Sequence, residues 1–353
     1  MARSVPSPRS RITQRDIARL AGVSQTTVSL VLNNNSEAAA RIAPETRERV
    51  LRVIRETGYV ADPLARRLLR QHNQILGVFT YEPVFPSASA DFYHPFLVGI
   101  EACAEKLGCD LLLFTSAPVT DGRRRVFHEN NRLRLADGCV LLGREIPSEE
   151  LARLVAEGYP FVSVGRRADA YLDEERRRGG PVPYVGADYT TATAALARRA
   201  VELGHRRMAY VGPGAGAESA VDRLAGFRAV AADGRHEPVA GRSPGEVLDA
   251  LVAAGVTVAF CEDLVDAAAL DRAARERGLS VPGDLSLVAL GDPTRPTVTD
   301  RELTGFRIPR REMGWQAVEV LTDILHGPGN RVQRLLPCEL VEGTTLGAPN
   351  TEN

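Results

Sequence analysis

Short apolar runs alternate with helix-like stretches over residues 75–290, and this alternation restricts the fold more than any other feature. Seven runs are predicted to be strands: Ile75–Thr80, Asp110–Phe114, Gly138–Leu142, Phe161–Val164, Arg207–Val211, Val256–Phe260 and Leu285–Leu290. Five intervening stretches are predicted to be helices: Pro95–Leu107, Glu149–Glu157, Thr190–Leu203, Ser219–Ala232 and Leu264–Arg277. Such alternation predicts parallel, doubly wound α/β sheets. The segment is too long for one lobe, and Arg166–Pro183 is predicted to be an irregular crossover between two lobes.

Composition excludes several classes of protein. No run of eighteen apolar residues is present, and residues 1–10 contain no apolar segment typical of a secretory signal. The five cysteines are scattered without a CxxC pair, which argues against a zinc site and a disulfide framework. We therefore expect a cytoplasmic protein without a metal or a cofactor.

The net charge of −1 conceals a strong asymmetry. Residues 1–72 hold 13 arginines and six acidic residues, a formal charge of +7, whereas the remainder holds 31 basic and 39 acidic residues. A basic segment on an acidic body is typical of a module that binds a polyanion, although a solvated charged surface gives the same count.

The basic segment has the pattern of a helix-turn-helix. Thr13 can cap a first helix, with Asp16 in capping-box position, and Gly22 permits the turn that ends it. Ser24 can cap a second helix, in which Val28, Val31 and Leu32 form one apolar stripe. A third helix is predicted from Pro44 to Gly58.

The outer face of the second helix carries small polar side chains. Gln25, Thr26 and Ser29 lie opposite the apolar stripe and can reach base edges or phosphates. Amphipathicity alone also fits an ordinary three-helix bundle.

Specific residues favour the helix-turn-helix, because the segments 16–24, 27–29, 46–50 and 58–59 resemble the head of the LacI/GalR family of bacterial regulators. Later segments resemble the same family's effector core, which is shared with periplasmic sugar-binding proteins: 99–101, 185–188, 202–207, 223–227 and 277–286. The resemblance implies a small all-α helix-turn-helix head, residues 11–60, and a two-lobed, periplasmic-binding-protein-like α/β core, residues 73–345.

Between head and core, residues 61–72 resemble the family's hinge helix. Such a helix folds when two copies meet on DNA, and by position Leu68 is the side chain that wedges into the minor groove, with Ala65 at the closely packed position. A plain linker is the alternative. The residues expected to contact DNA are therefore Thr13, Ser24, Gln25, Thr26, Thr27, Ser29, Asn33, Ala65 and Leu68.

The resemblance also implies lobe boundaries, because the chain crosses between lobes three times in relatives. We expect the first lobe at about residues 73–165 and 303–334, and the second at about 181–302 and 335–345. Residues 1–10 and 346–353 are expected to be disordered tails.

Five residues are expected to contact an effector in the cleft between the lobes: Phe92, Tyr93, Arg223, Glu262 and Asp292. The paired aromatics can stack on a ring or pack beneath a loop. Arg223 matches the family's effector-contacting arginine and its forked donors suit hydroxyls or carboxylates, although a surface ion pair is the alternative. Glu262 replaces the usual asparagine, and Gly291 replaces the first of two aspartates. The effector is therefore a sugar, a cation or another compound.

The leading hypothesis is a repressor that binds a pseudo-palindromic operator, double-stranded DNA, as a homodimer and responds to a small-molecule effector. Residues 343–353 carry no leucine heptads, so we expect a dimer rather than a tetramer. The core alone also permits a solute-binding protein for transport. An enzyme is disfavoured, because residues 212–216 fit no phosphate-binding fingerprint and the histidines lack partners at catalytic spacing.

Overall fold

A computed structural model describes residues 12–32, 42–59, 73–82, 87–120, 122–129, 131–168, 181–293, 297, 299–327 and 332–350. The chain divides into two units, residues 1–73 and 74–353. The predicted contact residues Asn33, Ala65 and Leu68, and the hinge segment 61–72, lie outside the described residues.

The first unit contains three helices: α1 (Gln14–Ala21), α2 (Gln25–Leu32) and α3 (Pro44–Thr57). Thr13 and Asp16 form the predicted capping box at the start of α1. Gly22 and Gly58 end α1 and α3 in the left-handed region, with φ of 64° and 62°, which glycine adopts without steric cost.

One small apolar cluster holds these helices together. Ile17, Val28 and Val50, one from each helix, have no exposed surface. The Arg49 guanidinium adds a polar tie, because its Nε donates to the Ala21 carbonyl at 2.9 Å. The head therefore has its own core, to which the predicted apolar stripe of α2 contributes Val28 and Val31.

The second unit is built from two six-stranded sheets. The strands of this unit are β1 (Ile75–Thr80), β2 (Asp110–Phe114), β3 (Val119–Thr120), β4 (Arg123–Arg124), β5 (Gly138–Leu142), β6 (Phe161–Val164), β7 (Tyr184–Ala187), β8 (Met208–Val211), β9 (Arg235–Glu237), β10 (Val258–Cys261), β11 (Ser286–Ala289), β12 (Thr304–Arg307), β13 (Gln333–Leu336) and β14 (Glu339–Val341). The first sheet has the order β13-β7-β6-β5-β1-β2 and the second β14-β12-β11-β10-β8-β9. The helices are α4 (Ser87–Leu107), α5 (Ser148–Ala156), α6 (Tyr189–Glu202), α7 (Glu218–Arg228), α8 (Pro244–Ala253), α9 (Leu264–Glu276) and α10 (Arg310–His326).

Both sheets are covered on both faces, as a doubly wound arrangement requires. In the first sheet, Val78 and Val140 pack in the same cluster as residues of α4 and α10, whereas Phe79 and Leu141 pack with α5. All strand pairs of the two sheets are parallel except β12 with β14, so the predicted parallel character holds for all but this edge pair. β3 and β4 form a separate antiparallel hairpin.

Two of the predicted lobe boundaries are wrong. Residues 184–187, predicted in the second lobe, pair with β6 as part of the first sheet, and residues 304–307, predicted in the first lobe, pair with β11 in the second sheet. The chain therefore crosses from one lobe to the other after Ala187, again between β12 and α10, and a third time between β13 and β14. The reason is that lobe membership is set by strand pairing, and β7 pairs with β13, far along the chain.

Two further predictions need correction. α4 begins at Ser87, so Pro95 lies inside the helix, where it removes one main-chain hydrogen bond, rather than at its first turn. Residues 346–350, predicted as part of a disordered tail, are held against the second lobe. The Gly347 amide donates to Ser286 Oγ at 3.2 Å, and its carbonyl lies 2.7 Å from His205 Nε2.

Candidate functional site

The outer face of α2 is the candidate DNA-contacting surface of the head. Gln25 and Thr26 are exposed, and Ser29 is half-buried, on the side of the helix opposite the buried Val28 and Val31. This arrangement presents small polar side chains from a helix whose other face is fixed by packing.

Three of the other predicted contact residues also perform local structural tasks. Thr13 Oγ1 donates to Asp16 Oδ2 at 2.7 Å, a hydrogen bond that lowers the pKa of the Asp16 carboxyl. Ser24 Oγ accepts from the Thr27 amide at 3.1 Å and lies 2.8 Å from the Thr27 hydroxyl. Capping thus engages the side chains of Thr13, Ser24 and Thr27, whereas Gln25 and Thr26 project outward.

A cavity of about 510 Å³ lies between the two lobes of the second unit. Its lining includes all five residues predicted to meet an effector: Phe92, Tyr93, Arg223, Glu262 and Asp292. Its size is within the range of small-molecule sites in proteins.

The paired aromatics are held rigidly in the cavity wall. The Phe92 and Tyr93 rings pack edge to face with centroids 4.9 Å apart, and the Tyr93 hydroxyl donates to the Glu82 carboxylate. Burial raises the pKa of Tyr93 far above its ordinary value, so the hydroxyl stays protonated as a donor. Arg310 lies over the Phe92 ring, with its guanidinium carbon 4.9 Å from the ring centroid. Phe92 therefore already stacks against a cation of the protein.

Arg223 is buried in the cavity wall, with 8% of its surface exposed. Its Nε donates to the Leu290 carbonyl at 2.6 Å and its Nη1 to the Ser219 carbonyl at 2.9 Å. The guanidinium also lies over the Tyr189 ring at 4.0 Å from the centroid. These contacts rule out the alternative of a surface ion pair for Arg223.

Glu262 is turned toward its own lobe. Its Oε2 accepts from the Tyr210 hydroxyl at 2.7 Å and from the Gly214 amide at 3.0 Å. Burial raises the pKa of Tyr210 well above its ordinary value, and the nearby Glu262 carboxylate raises it further. The glycine-rich loop at residues 212–216 thus donates to an internal carboxylate.

Asp292 and Arg310 lie at the base of the cavity. Asp292 Oδ2 accepts from the Ile308 amide at 2.7 Å. Arg310 opens α10 and is 5% exposed, and its burial lowers the pKa of its guanidinium, an effect that the charge of Asp292 opposes. Sequence reasoning missed Arg310, because nothing in its local pattern distinguishes it from the many exposed arginines.

Two ion pairs that the sequence did not predict join the lobes beside the cavity. Arg166 forms a two-pronged pair with Asp222, with both N–O distances 2.7 Å, and Arg167 Nη1 lies 3.0 Å from Glu218 Oε2. Glu218 and Asp222 are one turn apart on α7, so one helix face of the second lobe meets two consecutive arginines of the first.

The part of the chain that the structure describes contains no group of three or more metal-ligating side chains placed to hold an ion. None of its helices combines the length and the apolar character that a membrane crossing requires.

Known proteins resemble this chain over nearly its full length. Residues 13–62 match the bacterial regulatory proteins of the lacI family, and residues 197–346 match a periplasmic binding protein-like domain. The transcriptional regulator CelR of Thermobifida fusca is 30% identical over 93% of this chain and 96% of its own. A structure of a CelR–cellobiose complex is 27% identical and covers 95% of this chain and all of its own, with a TM-score of 0.59. The lac repressor dimer bound to operator shares the fold, at 21% identity over 96% of this chain and all of its own, with a TM-score of 0.72.

Proposed function

The chain belongs to the lacI family of bacterial regulatory proteins, and from this membership we propose that it represses transcription as a homodimer on a pseudo-palindromic operator. It is a transcriptional regulator with a DNA-binding helix-turn-helix and an effector-binding domain. Beyond this role, we propose that two copies bind DNA with two-fold symmetry, that binding lowers transcription, and that specific residues contact the DNA and the effector.

The observation that carries the proposal is the polar outer face of α2. Gln25 and Thr26 project from a helix whose start is capped by Ser24 and whose inner face is fixed by Val28 and Val31. A helix of this kind fits the major groove, where side-chain amides and hydroxyls read base edges. One head covers only a half-site, so two heads related by two-fold symmetry require a pseudo-palindrome.

The interlobe cavity is proposed as the effector site, with Phe92, Tyr93, Arg223, Glu262 and Asp292 in its wall. The CelR structure, described as a cellobiose complex, supports a small-molecule role for the homologous domain. In this proposal the chain binds and releases its ligand unchanged, performs no catalysis, and works in the cytoplasm, where bacterial DNA lies.

The test is operator binding by the full-length protein, with sites selected from a random pool of duplexes. Gln25→Ala and Thr26→Ala are each expected to weaken specific binding by about 1–3 kcal/mol, or roughly five- to 150-fold, because each removes a base contact. Thr57→Ala is the matched control, since its hydroxyl bonds to the Val53 carbonyl of its own helix at 2.7 Å.

Selected sites without two-fold symmetry would contradict the dimer. Unchanged affinity in both α2 variants would contradict the placement of the recognition surface. A protein that binds small molecules but selects no DNA would instead be a solute-binding protein. Transcription from a promoter that carries the selected site should fall when the protein is added, and a rise would refute repression.

A further inference from the structure

Two ion pairs cross the boundary between the lobes, and both join side chains that lie mostly out of water. Arg166 and Arg167 follow β6 of the first lobe, and their partners, Asp222 and Glu218, lie on α7 of the second. The four side chains have between 3% and 26% of their surface exposed. Ion pairs on an open surface contribute little, whereas pairs shielded from water are screened much less. Attraction across the boundary is therefore supplied in part by these four residues.

Arg167 obtains its counter-charge from the opposite lobe. Its guanidinium also donates to four neutral acceptors of its own lobe: Ser163 Oγ at 2.9 Å and the carbonyls of Gly143 at 2.7 Å, Val164 at 3.2 Å and Arg166 at 3.3 Å. Among the residues that the structure describes, the one carboxylate that pairs with it is that of Glu218, at 3.0 Å. Separation of the lobes would therefore take the counter-charge away from a guanidinium that the first lobe holds in place.

A fixed turn presents the two arginines. The Gly165 amide donates to the Val185 carbonyl of β7 at 2.8 Å, and a Cβ atom on Gly186 would lie 2.8 Å from the Arg166 amide nitrogen. The backbone of the turn thus packs directly against β7. A guanidinium whose position is set in advance loses less conformational freedom when it pairs. Arg166 uses both prongs of its fork, with two N–O distances of 2.7 Å to the Asp222 carboxylate.

The two carboxylates move together because one helix carries both. Glu218 and Asp222 are four residues apart on α7, so they lie on the same face one turn from each other. A rotation of the second lobe that carries α7 away from the turn after β6 breaks both pairs at once.

A third contact between the lobes lies just before α7. The Glu145 carboxylate, which pairs with Arg123 in the first lobe, approaches Gly216 so closely that a Cβ atom there would lie 2.9 Å from its Oε1. The first turn of α7 has no side-chain cap, and a carboxylate near the start of a helix interacts favourably with the helix dipole. This contact therefore favours the same arrangement of the lobes as the ion pairs.

We propose that the ion pairs Arg166–Asp222 and Arg167–Glu218 form a latch that holds the two lobes closed by the protein's own charges, so that closure does not require an effector. The latch has two states, because its pairs form only when α7 lies against the turn after β6. The inference goes beyond the proposed effector site, since none of the four residues needs to contact a ligand. An effector meets a core that is already closed, and it opens the lobes only if it binds the open arrangement more tightly.

The experiment measures side-chain oxidation by hydroxyl radicals in the full-length protein, without DNA and without any added small-molecule effector. Met313 and Tyr93 report on the lobes, because both are nearly buried and both line the cavity between them. Met208 reports on general unfolding, since it is also buried but lies in β8, away from that cavity. The oxidation rate of Met313 divided by that of Met208 therefore measures opening of the lobes, and Tyr93 should follow Met313.

Removal of both carboxylates in the double variant Glu218→Gln/Asp222→Asn should raise this ratio about tenfold, because a hydrogen bond between charged groups shifts an equilibrium by at least roughly that factor. Glu157→Gln is the matched control. Its carboxylate pairs with Arg153 at 2.8 Å within the first lobe, so its loss should leave the ratio unchanged.

A double-mutant cycle separates a pair from two independent structural effects. Arg166→Gln and Asp222→Asn should each raise the ratio. Asp222→Asn should add little in the Arg166→Gln background, because the interaction that it removes is already lost there.

An unchanged ratio in the double variant, an equal rise in Glu157→Gln, or additive effects in the cycle overturns the proposal. If Met208 and Met313 of the double variant are both oxidised rapidly, that variant is unfolded and the cycle of single substitutions decides. Operator binding by the same preparations is measured separately. Its absence would refute the proposed regulatory function, whereas the latch is decided by the oxidation rates alone.

Discussion

Replacement of Ile17 by alanine should unfold the head while leaving the core intact. Ile17 has no exposed surface and contacts the single apolar cluster that holds α1, α2 and α3 together. Truncating a buried isoleucine to alanine costs about 2–5 kcal/mol. A folded unit on the order of 50 residues has a total free energy of unfolding of roughly 2–7 kcal/mol. The substitution therefore removes most or all of the stability of this unit.

The assay is thermal unfolding of the full-length protein together with limited proteolysis and operator binding. Ile17→Ala should lower the head transition steeply, expose the first unit to protease and abolish operator binding at 25 °C. The core transition should stay within about 1 °C of wild type, because the second unit has separate apolar clusters.

Leu20→Ala provides the matched control. Leu20 lies on the same helix, loses a side chain of the same size, and is 57% exposed. It should lower the head transition far less than Ile17→Ala. Equal effects of the two substitutions would refute the assignment of the head core, and a joint shift of both transitions would refute the independence of the two units.

Three further outcomes are expected. Specific operator affinity should fall roughly a thousandfold between 50 and 200 mM salt, because head arginines displace counterions from phosphates, and a flat salt dependence would contradict this. Burial lowers the pKa of His205, so the neutral ring is favoured in the fold; core stability should be full above about pH 6.5 and fall as pH drops below it, and His205→Gln should lose this dependence. In a urea titration, Gly314→Ala should destabilise the core by about 1–3 kcal/mol or more, because its Cβ would lie 2.2 Å from the Phe96 carbonyl oxygen. Gly327→Ala, which has open space around its Cβ, should be nearly neutral in the same titration.

The parts of the fold predicted best from the sequence are those set by local pattern. β1, β2, β5 and β6 begin and end where the apolar runs predicted, because each run has a polar, glycine or proline residue next to at least one of its ends. α3 likewise spans Pro44 to Thr57, since proline and glycine mark its two ends.

Several elements were not predicted from the sequence, and two of them, α8 and α10, are helices of 10 and 17 residues. The strands β7, β12 and β13 have four residues each, a length at which the apolar pattern is a weak signal. Their sheet is decided by neighbours far along the chain: β7 pairs with β13, and Leu336 pairs with Ala187. No local signal contains that information, which explains why the lobe boundaries near residues 184–187 and 304–307 were misassigned.

The position of the candidate site followed from topology, but its chemistry did not. Glu262 comes directly after β10, and Asp292 lies three residues beyond the end of β11. The carboxyl ends of parallel strands meet at one edge of a sheet, where α/β proteins form their clefts. That rule brings these residues to the cavity wall. The rule does not predict that the Tyr210 hydroxyl and the Gly214 amide donate hydrogen bonds to the Glu262 carboxylate. Tyr210 lies on β8 and Gly214 on the loop after it, and both are distant from Glu262 in the sequence.

The balance of charge in the cavity depends on such partners more than on residue types. By composition alone, its wall contains as many carboxylates as guanidiniums, and a cationic ligand is as reasonable as an anionic one. The hydrogen bonds do not remove this symmetry. Glu262 and Asp292 accept from neutral donors of the protein, and Arg223 likewise donates to neutral carbonyls. The sequence contained every one of these residues, but only their contacts show which polar atoms of the wall are already engaged by the protein.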